Sequence, residues 1–203
     1  MLTLGYTRFH PDANVYSRKT FDILLFLAIY VDDILLLSNS PSALATAKGE
    51  LNSSFSMTDM GALHYCLRIQ VFQGHTKGVI SMSQQSYIKS LLKKNQMSAC
   101  KGVETPLPTA LKLQQTDVKS TLPTELATFR YANILGGIRY LVTCTRPDIC
   151  FATNLLSRYM KDPGSIHIQH LKRLMRYLQH TKDFLSLLLR YPSHAHTFPH
   201  RLF

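Results

Sequence analysis

Two apolar runs near the start of the chain are separated by a pair of acidic residues. Residues 21–30 are almost wholly apolar at odd and even positions alike, which is typical of a strand covered on both faces. Asp32 and Asp33 follow, and residues 34–37 resume the apolar pattern. The pattern predicts a β-hairpin with the acids at its bend. On an extended chain Tyr30 and Asp32 would share one face.

Helical and strand-like patterns alternate along the rest of the chain. Leu44, Ala47, Leu51 and Phe55 recur three and four apart, which predicts an amphipathic helix over residues 42–55. A second hairpin is predicted from alternation at residues 64–72 and 79–82. Further helices are predicted at residues 83–96, 125–143, 147–160 and 166–180. The fold class predicted is therefore α+β.

A proline-containing segment separates the strand-rich part from the helical part. Pro106, Pro108 and Pro123 lie there among Thr, Ser and Gln residues, as in a linker. The domains predicted from this are a strand-rich part, a linker, a helical part and a tail, at residues 1–105, 106–123, 124–190 and 191–203.

Charge is distributed unevenly along the chain. The formal net charge is +11, with four Lys/Arg against six acids in residues 1–60 and 19 against six in residues 61–203. A basic field of this kind favours a polyanionic partner, with nucleic acid first. The candidate contacts are Lys172, Arg173 and Arg176, on the flank of the last predicted helix. An ordinary solvated basic surface is the alternative.

Other candidate chemistry is weaker. Cys66, Cys100, Cys144 and Cys150 form no CxxC pair, so we interpret them as reduced core thiols. The histidines have no acidic or cysteine partner at a metal-ligand spacing. No secretory signal is visible, and the two aspartates argue against a membrane span over residues 21–37. The expectation is an intracellular, cytoplasmic or nuclear chain without a membrane segment.

Adjacent carboxylates in an apolar setting are costly, because like charges repel and burial penalises ionisation. Asp32 and Asp33 are tolerable on an exposed turn, and also where a divalent cation is bound. Mg²⁺ is held by a few carboxylates plus substrate phosphates, so metal-assisted phosphoryl transfer is one interpretation. On these residues alone, a simple polar turn remains the alternative.

The order of several motifs resembles a known family. Y-V-D-D at residues 30–33 is similar to a polymerase active-site hairpin, and F-S-M-T-D-M-G-A-L-H-Y-C-L-R-I at 55–69 resembles the stretch that follows it. T-R-P-D-I at 145–149 and the helical segment at 167–178 continue the match. Together they resemble the reverse transcriptase region of Ty1/copia-type retrotransposon Pol polyproteins.

The resemblance implies a partial reverse-transcriptase palm followed by a helical thumb or connection region. It implies RNA-directed DNA synthesis with two Mg²⁺ ions, an RNA template, a DNA primer and deoxynucleotides, alongside other Pol segments. Asp32 and Asp33 would be the catalytic metal ligands, with Tyr30 and Val31 beside the primer terminus. The hairpin at 64–82 would position the primer, and the basic helices would grip phosphates.

Departures from the family pattern accompany these matches. The family takes a third carboxylate from an upstream strand, for which the earlier acids Asp12 and Asp22 are poor substitutes. Further departures occur at Arg68, Ala132 and Arg139, and in the tail. The expectation is a truncated, degenerate C-terminal piece. Three functions stay open: a polymerase module, a non-catalytic nucleic-acid binder using the basic half, and an inert remnant that folds poorly.

Overall fold

The structure is a computed structural model, and it describes residues 1–74, 79–109, 111, 113 and 129–189. The described residues form two compact units, residues 1–62 and residues 63–189. Both units combine antiparallel strands with helices, which confirms the predicted mixed fold at that level. In the described part of the chain, no helix is long and apolar enough to cross a membrane.

The first unit is a four-stranded antiparallel sheet with one long helix. Its elements are β1 (Thr7–Arg8), β2 (Val15–Thr20), β3 (Ile23–Tyr30), β4 (Asp33–Ser38) and α1 (Pro41–Ser54). The strands are ordered β1-β2-β3-β4, so each strand pairs with its neighbour in sequence. The Ser40 hydroxyl accepts the Ala43 N–H at 3.4 Å and caps α1, and Pro41 occupies its first turn.

The core of the first unit lies on one face of this sheet. Leu25 and Leu27 of β3 are buried and pack with Ala47 and Leu51 of α1. Phe26, which lies between them on the opposite face, is 40% exposed. The expectation that this strand is covered on both faces is therefore wrong for the described residues. An apolar run shows that a strand can be buried, but it does not supply the second covering layer.

The described residues of the second unit form a second antiparallel sheet and four α-helices. Its elements are β5 (Tyr65–Cys66), β6 (Ile69–Gly74), β7 (Val79–Ser83), α2 (Gln85–Lys94), α3 (Tyr131–Cys144), α4 (Cys150–Ser157), α5 (Ser165–His180) and β8 (Ser186–Leu189). The sheet order is β5-β6-β7-β8. The sequence analysis did not predict β8, which pairs with β7 from Val79↔Leu189 to Met82↔Ser186.

The helices of the second unit enclose its main core. Seventeen buried residues from α2, α3, α4, α5 and the short 3₁₀ turn Pro147–Ile149 form one cluster. Each helix contributes positions three or four apart, as the sequence periodicity predicted. Ile138, Leu141, Leu171 and Leu174 are fully buried examples.

The predicted linker is described only in part, and the predicted tail lies wholly outside the described residues. Of residues 106–123, the structure describes 106–109, 111 and 113, and both Leu107 and Leu113 pack against the helical core. Residues 191–203 lie outside the described part. The compact units divide between Ala62 and Leu63. The division at 106–123 therefore remains a proposal about functional domains.

Candidate functional site

The two aspartates lie at the turn between β3 and β4. Tyr30 pairs with Asp33, so Val31 and Asp32 form a two-residue hairpin loop. Val31 is 81% exposed and has φ +53°, in the left-handed region that β-branched residues rarely adopt. Such strain persists where the surrounding structure fixes it, and it is frequent at functional sites. The turn is therefore a strained, outward-facing element at one end of the first sheet.

The turn changes which side chains share a face. The expectation that Tyr30 and Asp32 lie together assumed that the strand continues through Asp32, and it is wrong because the chain bends at Val31. Cross-strand partners in an antiparallel pair project to the same side. Tyr30 and Asp33 are such partners, so it is they that share a face, opposite to the one that packs on α1. Asp32 sits at the tip.

Both carboxylates are exposed, and neither takes part in the ion pairs that form among the described residues. Those pairs are Arg18–Glu50, Lys48–Asp59 and Arg146–Asp148. No group of three or more His, Cys, Asp or Glu residues in the described part is arranged to hold a metal ion. Mg²⁺ is often held by one or two protein carboxylates plus waters and substrate phosphates. The pair therefore fits part of a Mg²⁺ ligand set.

The other two early acids lie in different places. Asp22 occupies the turn before β3, at the opposite end of an eight-residue strand, which separates it from Asp32 by roughly 30 Å at the usual strand rise. Asp12 is in the β1–β2 loop, where its carboxylate accepts the Asn14 N–H at 2.9 Å. The Asn14 carbonyl accepts the Ile29 N–H at 2.9 Å, so this loop lies at the same end of the sheet as Asp32.

A second strained turn starts the predicted primer-contact hairpin. Leu67 and Arg68 join β5 to β6 with φ +48° and +63°, the pattern of a type I′ turn that favours glycine at its second position. Arg68 is one of the positions at which the sequence analysis found a departure from the family pattern. The Tyr140 hydroxyl donates to the Leu67 carbonyl, and the Arg68 guanidinium lies 5.8 Å from the centre of the Tyr87 ring.

The predicted phosphate-binding residues are partly engaged within the chain. Arg173 Nη2 donates to Thr105 Oγ1 at 2.8 Å, and Arg176 Nε donates to the Lys101 carbonyl at 2.7 Å. Lys172 is exposed, with Nζ 5.4 Å from the centre of the Phe129 ring. Both arginines thus hold the segment that follows α2 against α5. Their contact with nucleic acid remains a prediction.

A buried polar network surrounds Arg146, for which the sequence analysis assigned no role. Arg146 is 2% exposed; its Nε and Nη2 donate to the Asp148 carboxylate at 2.9 and 2.8 Å, and its Nη1 donates to the Thr181 carbonyl at 3.1 Å. The Tyr177 hydroxyl also donates to Asp148, at 2.9 Å. Burial alone would raise the pKa of Asp148, but Arg146 and Tyr177 outweigh it and hold that pKa below its ordinary value. The T-R-P-D motif at residues 145–148, which contains both Arg146 and Asp148, was the sequence feature that could have indicated this network.

Comparison with known proteins places these features in a family. The family model described as reverse transcriptase (RNA-dependent DNA polymerase) matches residues 1–109. A Retrovirus-related Pol polyprotein from transposon TNT 1-94 of Nicotiana tabacum is 32% identical over 89% of the chain, and one from transposon RE1 of Arabidopsis thaliana is 36% identical over 90%. A putative transposon Ty5-1 protein of Saccharomyces cerevisiae is 32% identical over 94%. No solved structure matches the chain significantly.

The chain belongs to the reverse transcriptase family. Its relatives show that it is of the Ty1/copia retrotransposon type, as the motifs at residues 30–33 and 55–69 predicted. The chain spans 14% and 12% of the two plant polyproteins and 59% of the yeast protein. It therefore corresponds to one segment of the longer relatives.

Proposed function

We propose that the β3–β4 turn supplies two of the carboxylates that hold Mg²⁺ during RNA-directed DNA synthesis. The observation that carries this proposal is the exposure of Asp32 and Asp33 at a strained hairpin tip, outside the three ion pairs of the described residues. A turn stabilised only for folding would suit glycine or asparagine at the left-handed position better than Val31. The family membership supplies the reaction class.

The chain's own residues would act mainly by positioning. Asp33 projects from the same face as Tyr30, whose ring is 59% exposed and can cover one side of a primer terminus. Asp32, at the tip, can reach the ion from the adjacent direction. Bound Mg²⁺ lowers the pKa of an attacking hydroxyl and neutralises developing phosphate charge. The two carboxylates would fix where that charge is placed.

The proposed site needs a further ligand. Two carboxylates leave most Mg²⁺ positions to water, substrate phosphates or another protein group. Asp22 is at the wrong end of β3, and Asp12 is engaged with the Asn14 N–H. We propose that another segment of a Pol polyprotein supplies the remaining carboxylate, and that the working assembly binds an RNA template, a DNA primer and deoxynucleotides.

Metal binding and primer extension test this proposal separately. Asp32→Asn and Asp33→Asn should each weaken binding of Mn²⁺, a spectroscopic substitute for Mg²⁺, by about tenfold, the size of one lost charge-assisted ligand. Asp22→Asn is the matched control, because Asp22 is the second residue of the equivalent turn at the other end of β3. Equal Mn²⁺ affinity in all four proteins would end the proposal.

Primer extension uses the same variants with Mg²⁺, an RNA template annealed to a DNA primer, and deoxynucleotides. Any incorporation by the parent chain should be lost in Asp32→Asn and kept in Asp22→Asn. Incorporation by Asp32→Asn equal to that of the parent would show that this carboxylate has no catalytic part.

A non-catalytic nucleic-acid-binding role is the second candidate, and the charge distribution favours it. Residues 61–203 hold 19 Lys/Arg against six acids, and Lys89, Lys93 and Lys94 are exposed along α2. This function predicts duplex affinity that falls steeply with salt and is unchanged in Asp32→Asn. Salt-independent binding would exclude it.

A further inference from the structure

One face of the second sheet exposes large apolar side chains. Tyr65 is 50%, Phe72 is 52% and Leu187 is 59% exposed. Phe72 pairs with Ser81, and Ser81 pairs with Leu187, so the two apolar residues lie on the same face across three strands. Val71 and Met82 lie on the opposite face and are buried, and Ser83, which pairs with Gln70 at one end of the exposed face, is buried as well.

The two aromatic residues occupy neighbouring strands and share this face. Tyr65 pairs with Gln70, and Gln70 is two residues before Phe72 on β6, so all three side chains project to the same side. Diagonal neighbours on adjacent strands lie about 7–8 Å apart, within reach of aromatic side chains. Tyr65 and Phe72 thus occupy diagonal positions on one face of the sheet, with Gln70 and Ser81 on the same face.

The composition of this face selects one kind of occupant. An amphipathic helix or a second sheet would require a continuous apolar surface, whereas here Gln70 and Ser81 lie between the apolar side chains. Unpaired nucleobases offer flat faces that stack on aromatic rings and polar edges that bond amides and hydroxyls. The strong positive charge of residues 61–203 complements a phosphate backbone.

We propose that the face formed by Tyr65, Gln70, Phe72 and Ser81 binds a single-stranded nucleic acid by stacking unpaired bases on Tyr65 and Phe72. The inference rests on the proposed function and deepens it, because it assigns to this hairpin the unpaired part of a template–primer rather than the paired duplex. Binding by stacking needs no metal ion. It can therefore be measured apart from catalysis, and its failure is distinguishable from failure of the metal site.

The first test measures affinity for a fluorescein-labelled oligothymidylate by anisotropy, in buffer containing a metal chelator. Phe72→Ala should weaken binding about tenfold, as loss of one aromatic stacking partner does. Phe151→Ala is the matched control, because Phe151 is 75% exposed and belongs to helix α4 rather than to this sheet. It should bind like the parent chain. A parent chain that fails to bind the oligonucleotide, or Phe72→Ala binding unchanged, would overturn the proposal.

The second test detects stacking itself. The chain contains no tryptophan, so Phe72→Trp introduces a single tryptophan on this face, whose emission can be followed apart from that of the tyrosines. Its emission should be quenched on addition of oligothymidylate, whereas that of Phe151→Trp should not. Absence of quenching in Phe72→Trp, or tighter binding of a blunt duplex than of the single strand, would contradict base stacking. Self-association of the parent chain that Phe72→Ala abolishes, without an effect on the oligonucleotide, would assign the face to a second copy instead.

Discussion

The two compact units differ in the size of their buried cores. The first buries a cluster of five residues beneath its sheet, and the second buries a cluster of 17 among its helices. The strained turn with Asp32 and Asp33 belongs to the first unit, which has the smaller core. The proposed role of these two carboxylates requires them to remain exposed, which is incompatible with burial at this turn. The helical unit has the interior expected of a scaffold, which argues against a chain that folds poorly throughout.

The ion pairs of the two units also differ in burial. In the first unit, Arg18 and Glu50 form an ion pair at 2.7 Å with side chains 24% and 33% exposed. In the second unit, the side chain of Arg146 is 3% exposed in its pair with Asp148, whose own side chain is 35% exposed. Partly exposed pairs contribute little, because solvent screens them and their side chains lose entropy. The difference between the two pairs therefore lies in Arg146, whose guanidinium is buried and also donates to the buried Thr181 carbonyl.

The largest effect that separates the units is expected from Arg146→Ala. It removes the hydrogen bonds to Asp148 and Thr181, and the buried Thr181 carbonyl loses this donor, whereas the half-buried Asp148 carboxylate keeps contact with solvent. The free energy of unfolding of the second unit should therefore fall by about 2–4 kcal/mol. Arg18→Ala is the control and should cost the first unit about 1 kcal/mol or less, after allowance for screening. Urea unfolding followed by circular dichroism measures both. Equal losses would show that burial does not distinguish the two pairs.

Adjacent glycines in α3 provide a sharper test of packing in the helical core. A Cβ atom on Gly137 would lie 2.9 Å from Leu91 Cδ1 and 3.2 Å from the Tyr87 hydroxyl, so Gly137→Ala should destabilise by about 1–3 kcal/mol. A Cβ atom on Gly136 would meet nothing within 4 Å, so Gly136→Ala should stabilise by about 1 kcal/mol through helix propensity. Thermal unfolding of the two variants gives the comparison. Shifts of the same sign would contradict the close contact between α2 and α3.

The sequence contained more information on the helices than on what surrounds the strands. The spacing of Leu171, Leu174 and Leu178 predicted α5, because a period near 3.6 has one structural solution. The apolar run of β3 could not specify that α1 covers the face of Leu25 and Leu27 and leaves Phe26 exposed, since burial depends on a second layer. Strand β8 is four residues long and pairs with a strand about 100 residues earlier, so local pattern gave no sign of it.

The site shows the same contrast. Tyr30, Val31, Asp32 and Asp33 could be predicted as a site only from the order of several motifs, because adjacent acids alone are equally typical of a simple polar turn. The arrangement of these four residues could not be predicted, because the left-handed backbone at Val31 makes Asp33, and not Asp32, share a face with Tyr30. The sequence also could not show which of Lys172, Arg173 and Arg176 is free to bind a phosphate. Internal partners such as Thr105 are distant in sequence and are brought near only by the fold.

The turns at the two ends of β3 test whether strain at the site is specific. Val31 and Phe21 both have left-handed φ, +53° and +51°, and each precedes an aspartate. Glycine at either position should stabilise the first unit by about 1 kcal/mol, because relief of steric strain exceeds the added chain entropy. Only Val31→Gly should change Mn²⁺ affinity, because only that turn holds Asp32. A change in Mn²⁺ affinity with Phe21→Gly would contradict the assignment.

The smallest expected effect concerns pH and the turn that Tyr140 holds. Burial, followed by the influence of Cys144, raises the pKa of Tyr140 to about 12. The hydroxyl donates to the Leu67 carbonyl only while it is protonated. Because the folded pKa is above that of the unfolded chain, near 10, this stabilisation is complete below about pH 10 and is lost as pH rises through 12.

Tyr140→Phe should therefore cost the second unit about 1 kcal/mol at neutral pH, and the difference should shrink between about pH 10 and 12. Urea unfolding of both proteins across that range measures it, with tyrosinate absorbance reporting ionisation. Tyr16 lies in the other unit, partly buried against its smaller core, so Tyr16→Phe should leave the pH dependence of the second unit unchanged. A constant difference between Tyr140→Phe and the parent chain up to pH 12 would mean that the hydroxyl is dispensable at the Leu67–Arg68 turn. Packing of the Tyr87 and Tyr140 rings, at 5.3 Å between centres, would then be what secures it.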